Sequence, residues 1–267
     1  MTLSNYGVEN ASSGSVAPQA GGDRSVAVGN KAVASGTEST ALTHSRAAGV
    51  SSFAAAISNN TTSYGAIGNQ SVCLGQFNKT GGNGIAIGSA FAITEGSQSV
   101  AIGRSVTSVG VGSLAMGRDI KANIVGQSAY GYGKFAAQGD AQSGQYILRS
   151  DTTNATAEAM TTNNITPAAT NQIVAASDTC VTFSGTIVAM QNGAQSYGSW
   201  EIRGLLVNDG GTTTLPVFNI SEIGSSGWKV NLYADNTNNA LKVQVTGEAS
   251  HNIRWVANIQ TSEVTYA

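Results

Sequence analysis

The chain has 267 residues with a formal net charge of -2, and only 10% of them are charged, against roughly a quarter in an average soluble domain. Lys and Arg this sparse cannot form the clusters that neutralise phosphates, so no nucleic-acid partner is expected. Intrinsic disorder is excluded as well, because 41% of residues are hydrophobic and the net charge is small.

The N-terminus MTLSNYGVENASSG has neither the basic region nor the apolar run of a secretion signal, and none is expected. No stretch of the chain approaches the roughly 18 apolar residues of a spanning helix, so no membrane insertion is expected. Residues 1–21 precede any periodic pattern and are too few to fold alone. They are expected to be an attachment peptide.

From residue 22 the chain repeats. SVAVG at 25–29 returns as SVCLG at 71–75, GIAIG at 84–88, SVAIG at 99–103 and SLAMG at 113–117. Weaker units (AVASG at 32–36, SFAAA at 52–56, AYGYG at 129–133) fill the gaps, most of them six to eight residues apart. The step from 56 to 68 is expected to hide one degenerate unit, and the step from 117 to 126 a two-residue insertion. Alternation within a unit sends Val and Ile one way and Ala the other. Gly is expected to close each unit because it reaches positive φ without steric cost. Two units make a coil of about 14 residues, and roughly eight coils span residues 22–139. Ala and Ser should face a lumen too narrow for anything larger. Val26, Val28, Val72, Leu74, Ile85, Ile87, Val100, Ile102, Leu114 and Met116 should face outward.

Neither coiling nor stacking buries that outward face, so another copy of the chain must. Three copies about a threefold axis close a ring of identical interfaces, and these ten residues are the expected trimer interface. The SVAIG-type units resemble the head repeats of trimeric autotransporter adhesins, which also occur in bacteriophage tail fibres and spikes. The resemblance covers about residues 22–139 and departs at 39–66, where Thr43 and Ala56 replace the closing Gly. It implies a left-handed parallel β-roll.

Composition shifts near residue 139. Residues 1–139 hold 23 of the 33 glycines, whereas Trp200, Trp228 and Trp255 all follow. Domains are therefore drawn at 22–139 and 140–267. The second reads as strands at 145–150, 179–190, 199–208, 213–220, 227–235, 239–247 and 253–266, separated by Asn, Asp and Gly clusters. That pattern predicts an antiparallel β-sandwich of jelly-roll type. Phase puts the three tryptophans in its core rather than on a sugar-stacking surface. Tyr197, Glu201, Arg203, Lys229, Tyr233 and Lys242 take the outer faces or the tips at 191–198, 208–211 and 235–239. They are the candidate receptor-binding residues.

The region from GQYILRS (144–150) to IRWVANIQTSEVTY (253–266) resembles a C-terminal module of phage tail-fibre proteins. Together the two resemblances imply a structural virion protein: a homotrimeric short fibre or spike. It would attach to other virion proteins through its N-terminus and to a bacterial surface glycan or protein through its C-terminal domain. Alternatives are a capsid decoration protein or head fibre, and a polysaccharide depolymerase spike.

Catalytic signals are sparse. His44 and His251 lie far apart and outside any nucleophile motif. The repeat carries few acids, among them Asp23, Glu38, Glu95 and Asp119, against a narrow lumen. Cys73 and Cys180 read as two small buried thiols. The clusters NDGG (208–211) and DNTNN (235–239) read as hairpin turns rather than calcium loops. No catalytic residue, metal ligand or cofactor is expected, and the chain is expected not to be an enzyme.

Overall fold

A computed structural model describes residues 16–58, 63–193, 196–224 and 227–266. Most of the expected attachment peptide, residues 1–15, lies outside the described residues. The chain divides into two compact units, Met1–Ala122 and Asn123–Ala267. Both are built from strands.

The first unit contains β1 (Gln19–Ala20), β2 (Val26–Val28), β3 (Val33–Ala34), β4 (Thr40–Leu42), β5 (Arg46–Ala47), β6 (Phe53–Ala55), β7 (Gly65–Ala66), β8 (Val72–Leu74), β9 (Lys79–Thr80), β10 (Ile85–Thr94), β11 (Val100–Ser108), β12 (Leu114–Arg118) and β13 (Lys121–Ala122). They form two parallel ladders, because each half-unit pairs with the one a full coil later. One ladder runs β2, β4, β6, β8, β10, β11, β12. The other runs β1, β3, β5, β7, β9, then the C-terminal halves of β10 and β11, then β13. This is a parallel β-solenoid of eight rungs among the described residues. Gln19–Ala20, placed in the attachment peptide by sequence, form its first rung.

Alternation works as the repeat demands. Ala27, Ala41, Ala54, Cys73, Ala86, Ala101 and Ala115 are all buried in one inward column. Serines line a second column and hold the corners. Ser25, Ser39, Ser52, Ser71, Ser99 and Ser113 each donate from Oγ to the carbonyl of the glycine three residues before, at 2.6–2.7 Å. Gly84 interrupts that column. Thr94 fills the space, and its buried hydroxyl has no partner among the described residues.

Three expectations about the repeat need correction. The lumen is wider than Ala and Ser at one corner, where Ile57, Asn78, Val106 and Ile120 are fully buried. There the Asn78 amide substitutes for backbone: it donates to Gly88 O at 3.1 Å and accepts from Ala92 N at 2.8 Å. Among the described residues no extra unit lies between 56 and 68. Ala47 pairs directly with Ala66, so a single coil spans that step. The expected positive φ holds at the closing glycines Gly29, Gly75, Gly103 and Gly117 but fails at the corner glycines Gly36, Gly49 and Gly68. Glu38, Ser51 and Gln70, two residues later, take φ of 57°, 53° and 52°. What excludes a side chain at the corner is stacking, since a Cβ on each glycine would overlap the carbonyl oxygen of the next corner glycine.

The second unit contains β14 (Ser128–Tyr132), β15 (Ala141–Thr152), β16 (Ala157–Ala159), β17 (Ile173–Val174), β18 (Thr179–Gln191), β19 (Tyr197–Asp209), β20 (Thr212–Gly224), β21 (Lys229–Asp235), β22 (Ala240–Thr246) and β23 (Ile253–Thr265). One antiparallel sheet has the order β14–β15–β23–β18–β19–β20. In the other, β22 pairs with β21 on one side and with β16 and β17 on the other. The division after Ala122 differs from the 139/140 boundary for a physical reason. Residue 124, where the repeat would place a corner glycine, is isoleucine, and it is buried in the core of the second unit. β14, assigned by sequence to the repeat, runs antiparallel to β15.

The core is what the alternation predicts. Val181, Phe183, Ile187, Val230, Leu232, Val243 and Val245 are buried with all three tryptophans. Trp255 stacks on Trp200 at 5.4 Å between ring centroids and meets Trp228 at 5.7 Å. Such contacts contribute about 0.5–1.5 kcal/mol each beyond burial. Trp255 Nε1 donates to Thr152 Oγ1 at 2.9 Å, which satisfies its polar edge.

Asp140 closes the loop before β15 by accepting from the N–H groups of Phe135 (3.0 Å), Ala136 (2.7 Å) and Ala137 (2.7 Å). Burial pushes its carboxyl up. The three N–H donors and the Lys134 charge outweigh that and hold it below the usual carboxylate range. A lowered folded pKa contributes stability above the unfolded value, and that stability is lost as pH falls through the folded one. Asp140→Ala should therefore destabilise the second unit by about 1 kcal/mol at neutral pH, the scale of a lost side-chain cap. The gap from wild type should close as pH drops through that pKa in thermal melts. A gap independent of pH would contradict the charged-cap role.

Candidate functional site

The first sheet turns one face to the core and the other outward. On the outer face, cross-strand register lines up two polar rows. Gln145, Gln260, Ser184, Arg203 and Asn219 form one row; Asn258, Thr186, Glu201 and Ser221 form the next. Between them lies an open groove of about 470 Å³, lined by residues of β18, β19, β20 and β23. Its size falls within the roughly 300–1,000 Å³ of small-ligand sites.

Gly185 lies in the floor of the groove. A Cβ there would overlap the Asn258 carbonyl oxygen and come within 2.9 Å of Ile259 Cα, so β18 and β23 pass closer than any other residue would allow. Glu201 and Arg203 lie two apart on the same side of β19, both exposed, and neither makes an ion pair among the described residues. Asn258 Oδ1 accepts from Gln145 Nε2 at 3.2 Å. Exposed Val188 and Val256 border the groove on one side, and Val217 on the other.

The six sequence candidates do not converge. Glu201 and Arg203 line this groove. Tyr197, 70% exposed, stands on the same outer face beyond it. Tyr233 and Lys242 are cross-strand partners on the second sheet, in a shallower depression with Asp235, Asn236 and Gln244. Lys229 is exposed at the start of β21 and lines neither. Sequence reasoning did not single out Asn219, Ser221 or Gln260. The signal that could have found them is the polar phase of their strands.

The hairpin turns are closed on themselves. Asp235 Oδ1 accepts from Thr237 N at 3.0 Å and Asn238 N at 3.2 Å. Asn208 is buried, donating to Ala175 O at 2.9 Å and accepting from Gly211 N at 2.9 Å. In the tip at 191–198, residues 194–195 lie outside the described residues. Among the described residues no three of His, Cys, Asp and Glu come together.

Cys73 is buried among the inward alanines, and burial pushes its thiol up to about 12, which makes it a packing group rather than a nucleophile. Cys180 corrects its expectation: it is only half-buried, because it lies on the outward phase of β18 beside Val207 and Val264. Asp23 and Glu38 lie at coil corners, where Arg24 reaches Glu38 at 2.7 Å. Asp119 pairs with Arg118 at 3.3 Å.

The ten outward residues of the solenoid fall in two columns, with Thr40, Leu42, Phe53 and Ala55 completing them. Val26, Thr40, Phe53, Val72, Ile85, Val100 and Leu114 make one, and Val28, Leu42, Ala55, Leu74, Ile87, Ile102 and Met116 the other. In one chain they are half-buried or exposed, Ile87 at 38% and Met116 at 40%. No described helix is long and apolar enough to cross a membrane.

No family model and no curated protein matches the sequence. Among solved structures the chain is similar to a tailspike protein from the Acinetobacter baumannii bacteriophage Fri1, a capsular polysaccharide depolymerase. Identity is 11% and the TM-score 0.28, over 87% of this chain and 39% of that one, so this chain spans about two fifths of the tailspike's length. The likeness of the repeat to adhesin heads finds no counterpart in these comparisons. One expectation is corrected by them: the matched structure is an enzyme, and the expectation that this chain is not one is withdrawn.

Proposed function

We propose that the chain is a structural protein of a bacteriophage virion, a short fibre or spike. Three copies associate through their solenoids, and the C-terminal units, read as β-sandwiches, attach to the host surface. The observation that carries this reading is the pair of columns along the solenoid, apolar at every position but Thr40. An apolar face of that extent, left half-buried or exposed in one chain, marks an association surface. Identical ladders on identical chains form it without further sequence, and a closed threefold ring leaves no copy with an open face. The likeness of the repeat and of the closing strands to fibre modules supports the virion setting. Three C-terminal units in one assembly turn weak single contacts into avidity.

The purified full-length chain should adsorb to host cells and block infection by the parent particle. Immunogold labelling should place it on the tail; label on the head would favour a decoration protein or head fibre. Assaying the same incubation for released oligosaccharides tests whether attachment is joined by depolymerisation. A chain that neither adsorbs nor competes, on particles that infect normally without it, would leave the attachment role without support.

A further inference from the structure

We infer that the polar groove on the outer face of the first C-terminal sheet is a subsite for an uncharged oligosaccharide. This rests on the attachment reading above and names the ligand class and place for it. The argument is the chemistry of the lining. Ser184, Thr186, Asn219, Ser221, Asn258 and Gln260 each donate and accept hydrogen bonds. A ligand satisfying such a surface must itself carry many groups that do both, which is the character of sugar hydroxyls.

Arg203 adds a donor and Glu201 an acceptor, and their charges cancel within the groove. That balance selects against an anionic chain, for which Glu201 is a repulsive neighbour, and against a cationic one, which Arg203 opposes. The other occupants fit poorly. A protein partner would seek an apolar centre, and here the apolar residues Val188, Val256 and Val217 form the borders. A nucleic acid would need several cations, and the groove has one. Valine borders suit the C–H faces of pyranose rings laid across the strands.

Both charged side chains are exposed and free of ion pairs among the described residues, so binding breaks no internal ion pair. Each hydrogen bond contributes little net free energy, about 0.5–1.5 kcal/mol. A single groove should therefore bind weakly, in keeping with a multivalent assembly.

The test uses the full-length chain on a printed array of neutral and acidic oligosaccharides from bacterial capsules and lipopolysaccharides, with adsorption to host cells measured in parallel. Binding to neutral members is expected. Arg203→Ala with Asn258→Ala should weaken it at least about tenfold, the scale of one or two lost hydrogen bonds. Thr186→Trp, at an exposed position that leaves the core untouched, should block the groove sterically with an unchanged melting curve. Tyr233→Ala with Lys242→Ala tests the depression on the second sheet as the competing site.

Loss of binding with Tyr233→Ala and Lys242→Ala but not with the groove variants would overturn the assigned site. Binding confined to acidic members would overturn the ligand class. So would adsorption to cells with no binding to any sugar, which would indicate a protein receptor; in each of these cases attachment survives. Failure of adsorption altogether would remove the attachment reading on which the subsite rests.

Discussion

Gly49→Ala is expected to destabilise the solenoid strongly for a change of a single methyl group. Corner glycines Gly22, Gly36, Gly49 and Gly68 stack one above another, and a Cβ on Gly49 would overlap the carbonyl oxygen of Gly68. Neither backbone can yield. Gly68 N is held by Thr80 O at 3.1 Å, and Gly49 O accepts from Ser52 Oγ at 2.7 Å. Forcing an extra methyl into a well-packed site costs about 1–3 kcal/mol, and the upper end or beyond applies where only backbone can move. Gly112 is the control. It lies at φ +65° with nothing within 4 Å of where a Cβ would sit, so Gly112→Ala carries only left-handed strain, about 1 kcal/mol. Denaturant unfolding of both variants should rank Gly49→Ala well below Gly112→Ala. The reverse order would mean that turn conformation, not coil stacking, sets the corner.

Ile87→Asp should dissociate the proposed trimer, at a cost of several kcal/mol per chain, about that of an uncompensated buried charge. Ile87 lies between Leu74 and Ile102 in one of the two apolar columns and is 38% exposed in a single chain. That exposure makes the experiment informative. In a monomer, a substitution at so open a position changes stability by within about 0.5 kcal/mol. A large effect on heat resistance, together with a fall in mass by light scattering, points to burial against another copy. Ile102→Asp should behave alike. A wild-type chain that is a stable folded monomer, or an Ile87→Asp chain that keeps its mass and melting point, would overturn the proposed interface.

Much of the fold was legible because both units are written in period two. Val26-Ala27-Val28 and Val181-Thr182-Phe183 announce their faces one residue at a time, and the burial follows. Strand ends in the second unit fell within a few residues of the Asn, Asp and Gly clusters. The short β16 and β17 were not legible, since three residues and two residues carry no period. The candidate site was legible only in part. Glu201 and Arg203 stood out as charges on an outer phase, whereas Asn219, Ser221, Asn258 and Gln260 look in sequence like ordinary solvated strand residues.

The sequence by itself determined the coil length, the inward alanines, the outward apolar columns and the buried tryptophans, because alternation and recurrence are local properties of the chain. Tertiary structure alone decided three things. It showed that Gly36, Gly49 and Gly68 answer to the coil stacked beside them rather than to their own φ, since the carbonyl they avoid comes from a residue about one coil away. It moved the division between units to Ala122, because Ile124 is buried in the core built by the strands that follow. It brought Ser184, Arg203, Asn219 and Gln260 into one row, since register between β18, β19, β20 and β23 is set by long-range pairing that no local pattern encodes.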